Sequence, residues 1–448
     1  MGAGGSDLGA GKSGSGNEGE EENLVFEDPF GDEFEDEDVH PSGEDEDQGD
    51  LDEIREEEEL LSGGWKDSGM DGSGGRQPVE TKVWRADVDK LSEGEELEYD
   101  STAYHMYHSI RPEWPCLSFD IVRDTLGMNR SRFPHTVFAV AGTQADNLEN
   151  NRITVMKLSD LNRTRNEGTG DDEDSDEDLD ETDDDPVLDH VNIHHRGGVN
   201  RVRSMPQQPN VVSSWSETSD VHIWDIKEQL ASFEKGAPKN ARVNPTHTFN
   251  GHPEEGFAMD WSLVDSGKLV TGDCGNYIYL TQPMEGGWIS DMVPFVGHTA
   301  SVEDLQWSPT EATVFVSCSA DKTMAVWDTR RKNGAMLSLR AHDEDVNVVS
   351  WNRNVTYLLA SGSDDGGFKI WDLRSFGKGE PVAQFRWHQA PITSIEWHPT
   401  DESMLAASGA DNQLTLWDLS VEADEEAGGG VGAGAGAGEG MDLPPQLL

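Results

Sequence analysis

The stretch Gly297–Asp328, GHTASVEDLQWSPTEATVFVSCSADKTMAVWD, decides the fold because its markers recur downstream at a fixed interval. Its Trp327-Asp328 pair returns as Trp371-Asp372 and Trp417-Asp418, 44 and 46 residues apart, and an earlier pair stands at Trp224-Asp225. Trp307, Trp351 and Trp397, in LQWSP, VSWNR and IEWHP, keep the same two intervals. His298, His342 and His388 each precede an aspartate (Asp321, Asp365, Asp411) by 23 residues, and that aspartate precedes the WD tryptophan by six. Markers that share one register at a period of about 40 to 45 residues describe a four-stranded propeller blade.

Weaker versions of the pattern fill the upstream chain. VVSSWSETSDVHIWD ends at Asp225, LVTGDCGNYIYL at Leu280 and RITVMKL near Leu158, which brings the count to six blades. Tyr279 replaces the WD tryptophan in one of them, and Thr218 stands at the turn-aspartate position of another. Short strands broken by Gly, Asn, Asp and Ser turns complete an all-β, WD-repeat β-propeller.

In such a blade the loop histidine, the turn aspartate and the third-strand tryptophan can share buried hydrogen bonds. Removing one member leaves the others unsatisfied, at about 1 to 3 kcal/mol. His298, Asp321, Trp327, His342, Asp365, Trp371, His388, Asp411 and Trp417 are therefore read as structural. His194 and His195 do not make a metal pair, because neighbours on a strand point to opposite faces. His195 instead lies five before Asn200, the spacing of the repeat histidine.

The sequence contains no GxSxG, no HExxH and no complete phosphate loop, and its acidic runs lack the EF-hand glycine and spacing. Gly11-Lys12-Ser13 has Ser6 where a phosphate loop needs its first glycine, and Met1, Gly2 and Ser6 match only the loose myristoylation pattern. The reading is a non-enzyme with no cofactor and no metal.

Candidate contacts lie five residues after each loop histidine, at the entry of the inner strand: Asn200, Glu303, Asn347 and Thr393, with Phe257 aligned. They vary in chemistry, while Val199, Val302, Val346 and Ile392 beside them stay apolar. This pattern places them around the mouth of the central channel.

The charge is extreme and uneven: the net charge is -56, residues 18–59 hold 23 Asp or Glu against the single Arg55, and residues 167–185 hold 13 with no Lys or Arg. Such runs repel themselves, bury nothing and extend as interaction arms. Glu27, Asp28, Asp32, Glu33 and Asp36 in the first block, and Asp171, Asp172 and Asp176 in the second, are the expected contacts. The field has the wrong sign for nucleic acid, so the expected partners are basic proteins, with no direct sequence-specific nucleic-acid contact. No stretch approaches the roughly 18 apolar residues of a membrane span, so no membrane contact is expected. Cys116, Cys274 and Cys318 form neither a CxxC pair nor a disulfide framework.

The expected organisation is a disordered acidic arm over 1–80, an N-terminal helix and edge strand over 81–123, and propeller blades one to six over 124–420 with an acidic loop at 166–189. An acidic, then Gly/Ala-rich flexible tail over 421–448 ends at DLPPQLL. Asp100 can cap a helix running to Ile110, with Tyr104 and Tyr107 on one face.

Taken together, LVFEDPFGDEFEDED (Leu24 to Asp38), CLSFDIVRDTLG, AGTQADN and SGADNQLTLWDL resemble the glutamate-rich WD-repeat proteins over nearly the whole chain. That family is similar in layout to the histone-binding WD proteins of chromatin complexes, which share an N-terminal helix followed by a WPxLS-like segment, here Trp114 to Ser118. The resemblance implies a seven-bladed propeller and a nucleolar factor in large-subunit assembly that escorts newly made universal large-subunit ribosomal protein 3 within pre-ribosomal particles. It implies residence in nucleus and nucleolus, with some in the cytoplasm; histone binding in chromatin assembly is the alternative. Carried over, the helix at 101–110 and the segment Asp442 to Leu448 match the sides of a histone-helix groove. The WPCLSF segment would supply the outer strand of a seventh blade, leaving the strand at 117–122 unpaired and apolar side faces open to association. That blade should follow Leu448, and its absence reads as truncation. A third reading, a substrate receptor of a cullin ubiquitin ligase, rests on VWDTR (Val326 to Arg330) and IWDLR (Ile370 to Arg374), which resemble a WDxR box.

Overall fold

The computed structural model describes residues 104–127, 130–163, 186–235, 240–241 and 243–421, with Pro444, Gln446 and Leu447. Six antiparallel sheets follow one another along these residues, and the first strands of consecutive sheets pack side by side around a channel. The first blade is Cys116–Ile121, His135–Thr143, Arg152–Leu161 and Val187–His194, with Asn240–Ala241 added in parallel. The second is Val199–Ser204, Val211–Ser216, Val221–Asp225 and His247–Phe249; the third is Gly256–Trp261, Leu269–Asp273, Ile278–Met284 and Gly287–Ser290. The fourth is Val302–Trp307, Val314–Ser319, Thr323–Asp328 and Leu337–Arg340; the fifth is Val346–Trp351, Leu358–Ser363, Gly367–Asp372 and Ala383–Arg386. The sixth is Ile392–Trp397, Met404–Gly409 and Leu414–Asp418.

Local chemistry explains the hairpins. The turn between second and third strands puts Ser219, Asn276, Lys322, Gly366 or Asn412 in the left-handed region, with φ of 69°, 71°, 73°, 73° and 61°. In the last three blades the aspartate just before that residue stabilises the turn by accepting the amide two residues on. Thr323 N donates to Asp321 Oδ1 at 3.0 Å, Gly367 N to Asp365 at 2.9 Å and Gln413 N to Asp411 at 3.3 Å.

The core lies between blades. Met324 and Val326 of the fourth blade bury themselves against Val346, Val349 and Trp351 of the fifth, and Phe368 and Ile370 of the fifth against Ile392 and Ile395 of the sixth. Close approach needs glycine: a Cβ on Gly362 would sit 2.4 Å from Ile392 Cγ2, and one on Gly272 2.6 Å from Val302 Cγ1.

Side chains on the inner strands stitch neighbouring blades of the first to sixth together. Ser118 Oγ and Asp120 accept the amides of Val202 and Ser204 at 3.1 and 2.8 Å. Asp260 accepts Trp307 N at 2.8 Å, Gln306 accepts Trp351 N at 2.6 Å and Ser350 accepts Trp397 N at 3.4 Å. This corrects the reading of WPCLSF: Cys116–Ile121 is the inner strand of the first blade, paired with His135–Thr143. Only an inner strand brings Ser118 and Asp120 to the second blade's amides.

Other expectations also shift. The helix expected over 101–110 is not present in its described part, since Tyr104 to Ile110 is irregular. Pro112 and Pro115 follow closely, and a turn or two of helix is marginal without packing. The stretch assigned to the acidic loop already includes strand from Val187. In the tail, Leu447 bridges Trp417, and Asp418 N donates to Gln446 O at 2.8 Å, extending the sixth sheet outward. The sequence reading missed a helix, α1 (Lys227–Lys235), whose start is capped by Asp225 accepting Lys227 N at 3.0 Å.

Candidate functional site

The repeat histidines hold the blades rather than face a ligand. His298 Nδ1 donates to Asp321 at 3.0 Å; Ser317 Oγ lies 2.7 Å from His298 Nε2 and accepts Trp327 Nε1 at 2.8 Å. In the sixth blade His388 meets Asp411 at 3.0 Å, and Thr415 links it to Trp417 at 3.0 and 2.8 Å. In the fifth, Ser361 joins His342 and Trp371, each at 2.8 Å. His195 is buried with Ser214 and Gly197 O, whereas His194 faces out toward Glu149 at 3.4 Å. The hydroxyl linker escaped the sequence reading although a signal exists: Ser214, Thr271, Ser317 and Ser361 each follow their histidine by 19 residues.

The candidate contact residues occupy equivalent positions, the second residue of each inner strand, at one mouth of the channel. Two of them are already engaged between blades. Asn200 Nδ2 donates to Glu255 at 2.9 Å and to Gly256 O at 3.4 Å, and Asn347 Nδ2 donates to Asp364 at 2.7 Å and to Ile392 O at 3.0 Å. Thr393 bonds Ser408 at 2.9 Å, and Phe257 offers its carbonyl to Arg201 Nε at 2.6 Å. Glu303 sits among Asp304, Asp345 and Asp364, and its carboxyl is raised first by burial and also by the charges of these neighbours. Glu255, Glu303, Asp345 and Asp364 thus make an acidic rim, of which sequence spacing identified only Glu303.

Deeper in, the channel turns mixed in charge. Arg201, held 3.8 Å from Asp304, is pushed down to about 10 by burial and then by Arg203. Asp260 is pushed up to about 7 by burial, partly offset by the Trp307 amide. A cavity of about 640 Å³ runs along the channel from Thr393 and Arg201, lined further on by Arg123, Arg203 and Arg353 with Asp120 and Glu396.

Tyr104 and Tyr107 pack with ring centres 5.4 Å apart and planes tilted by 45°, and both are half exposed. Glu27, Asp28, Asp32, Glu33, Asp36, Asp171, Asp172 and Asp176 lie outside the described residues. On the fourth and fifth blades Arg330 and Arg374 each fold back onto the WD aspartate two residues before: Arg330 Nε reaches Asp328 at 2.9 Å, and Arg374 Nη2 reaches Asp372 at 2.8 Å. Arg374 also lies 3.6 Å over the Tyr357 ring.

Comparison with known proteins agrees with this architecture. Residues 94–162 match the family of the histone-binding protein RBBP4 and its counterpart in the CAF1 complex, and 291–328, 335–372 and 379–418 match the WD domain, G-beta repeat. The chain is 44% identical over 412 residues to ribosome assembly protein rrb1 of Schizosaccharomyces pombe, covering 89% of this chain and 84% of that protein. It is 45% identical over 395 residues to the Arabidopsis thaliana protein HEAT STRESS TOLERANT DWD 1, covering 83% and 84%. It is 46% identical over 268 residues to glutamate-rich WD repeat-containing protein 1 of Dictyostelium discoideum, covering 57% and 55%. With the propeller and its acidic rim, these similarities establish that the chain belongs to the family of glutamate-rich and ribosome-assembly WD-repeat proteins.

Proposed function

We propose that this protein is a non-catalytic chaperone in ribosome biogenesis that escorts a strongly basic client, newly made universal large-subunit ribosomal protein 3, to pre-ribosomal particles in the nucleus and nucleolus. The observation that carries this reading is the acidic rim. Glu303, Asp345 and Asp364 are fixed on the inner strands and their loops at one channel mouth, in a chain of net charge -56. A focused negative field steers basic partners and excludes phosphate backbones. The arm over 1–80 and the loop over 166–189 screen the client's extensions, while the rim holds one specific basic segment. The name of the fission-yeast relative, a ribosome assembly protein, supports this assignment.

Histone binding is the second reading, favoured by the family match over residues 94–162. Competition decides between them: immobilised full-length protein is offered equimolar ribosomal protein 3 and histones H3–H4. Preferential retention of the ribosomal protein, lost in Glu303→Gln/Asp345→Asn/Asp364→Asn, is expected; preferential retention of histones overturns the assignment. The ubiquitin-ligase reading has one supporting feature, paired arginines Arg330 and Arg374 on neighbouring blades, but each is held by its own WD aspartate.

A further inference from the structure

The two ends of the first blade differ in charge. Its inner strand begins at the channel mouth that carries the acidic rim, so the loop that follows this strand, residues 122–134, lies at the opposite end. Strand pairing gathers the rest of that end: His135 is paired with Leu161, and Ser159 with Val187. Arg123, Arg130 and Arg132 of the loop therefore share it with Arg163, which directly precedes residues 164–185. Against these four arginines, segments 122–134 and 159–163 hold two carboxylates, Asp124 and Asp160. Asp124 is already taken, since Arg130 Nη2 reaches it at 3.2 Å while Arg130 Nη1 donates to Thr136 O at 2.9 Å. Arg123, Arg132 and Arg163 are exposed, and among the described residues no carboxylate pairs with them. Arg130 and Arg132 also line an open groove of about 420 Å³ with Leu126 and His135. In a chain with 89 Asp and Glu against 33 Lys and Arg, arginines left without a carboxylate mark a surface that fits an anionic segment.

The nearest anion along the chain is its own. Residues 167–185 hold 13 Asp or Glu and no Lys or Arg, and the run is tethered to this end of the blade on both sides, through Arg163 and Pro186. A segment of that length held at both ends reaches at most about 35 Å. The arginine surface lies beside both tethers. The rim lies at the far end of the strands, about 20 Å away along the blade, and on the third to fifth blades.

We infer that Arg123, Arg132 and Arg163 are the resting dock of the acidic run 167–185, and that a basic client must draw the run away from them before the run can screen it. Exposed ion pairs are individually weak, so the dock is held by their number and by a tether that sets an effective concentration on the order of millimolar. It loosens with salt. The dock also sets a threshold for the client. A segment with fewer cations than the arginine surface gains nothing by exchange, whereas a strongly basic one does. The exchange rests on the chaperone reading above; the dock does not.

Digestion of the full-length protein with a glutamate-specific endoprotease tests the dock, with cleavage after Glu173, Glu177 and Glu181 scored against cleavage within 18–59. Arg123→Gln/Arg132→Gln/Arg163→Gln should speed cleavage of 167–185 about threefold relative to that reference, the least that three weak surface pairs contribute together. High salt should do the same to the parent. A control that removes three exposed cations from the fourth and fifth blades, Arg331→Gln/Lys378→Gln/Arg386→Gln, should leave the ratio unchanged and so separates docking from net charge. An oligolysine peptide should bind the first variant about threefold more tightly than it binds the control. Equal cleavage ratios in variant, control and parent would overturn the inference, as would a rise confined to 18–59, which would give the dock to the other arm. Binding of oligouridylate by the parent at physiological salt, lost in the first variant, would assign the surface to a phosphate backbone and overturn it too. Faster cleavage without tighter oligolysine binding would support the dock and overturn the exchange.

Discussion

His342 and Asp365 stand 3.6 Å apart in the fifth blade, whereas His298 and Asp321 in the fourth meet at 3.0 Å. The 23-residue spacing treats the two pairs as equals, and the structure separates them. His342 Nδ1 is buried without a hydrogen bond, and Lys369, which donates to Ala341 O at 2.7 Å, lies close enough to help burial push His342 down to about 4. Asp321 gathers more: against burial, His298, Thr323 and the Thr299 amide together hold its carboxyl below the usual carboxylate range.

Asp321→Ala should therefore cost about 1 to 3 kcal/mol, because it strands a buried imidazole as well as the turn amides. Asp365→Ala should cost less, since its main loss is the Gly367 amide. Chemical denaturation of both variants checks the order, and equal losses would show that the longer contact in the fifth blade still carries a full hydrogen bond.

That contrast indicates what sequence could disclose. Period and register located the His, Asp and Trp of three blades because those types recur at fixed spacing. The hydroxyl between them recurs too, at 19 residues, but serine is common enough to pass unmarked, and in the sixth blade Ala407 stands there while Thr415 takes over the task. Inter-blade stitching was illegible because it uses Ser, Asp and Gln interchangeably. The rim was half legible: Glu303 follows from strand register, but Asp345 and Asp364 come from two other loops that only the closed blades bring together. The WPCLSF strand was misplaced because a lone strand outside the repeat has no periodic neighbour to fix its position.

Acid stability should carry two opposed signatures. Burial pushes His195 and His342 from 6.5 down to about 4, so the unfolded chain takes up their protons first. Their contribution is complete above about pH 6.5 and is lost as pH falls towards about 4. Asp260 runs the other way: with its carboxyl raised from 3.8 to about 7, its contribution is complete below about pH 4 and is lost as pH rises to about 7. Asn at 260 can still accept the Trp307 amide, so the melting-temperature difference between Asp260→Asn and the parent should grow in the variant's favour from about pH 4 to 7, then level off. A difference independent of pH would place Asp260 in ordinary solvent.

Arg201 joins three inner strands at once: it lies on the second blade, donates to Phe257 O of the third at 2.6 Å and neutralises Asp304 of the fourth at 3.8 Å. Arg201→Ala leaves a carbonyl and a half-buried carboxylate without their partner, and a loss of about 2 to 4 kcal/mol is expected. Asp304→Ala introduced alongside should restore part of that, because the stranded charge is then gone. A double-mutant cycle in urea measures the coupling, and strictly additive losses would show that the two groups do not interact.

Client capture should be governed by rate and by salt. The rim residues Glu303, Asp345 and Asp364 repel one another, and that cost in the free protein is relieved when a basic segment arrives, so they accelerate encounter more than they prolong residence. Exposed charges more than about 8 Å apart are largely screened at physiological ionic strength, whereas contacts within the rim persist. Neutralising all three as Glu303→Gln/Asp345→Asn/Asp364→Asn should therefore lower the association rate for a basic client about tenfold at low salt, with the gap to the parent narrowing as salt rises. Stopped-flow binding over a salt series measures this directly. If the variant and parent associate at the same rate at low salt, the rim does not steer the client, and the acidic runs at 18–59 and 167–185 must supply the attraction alone.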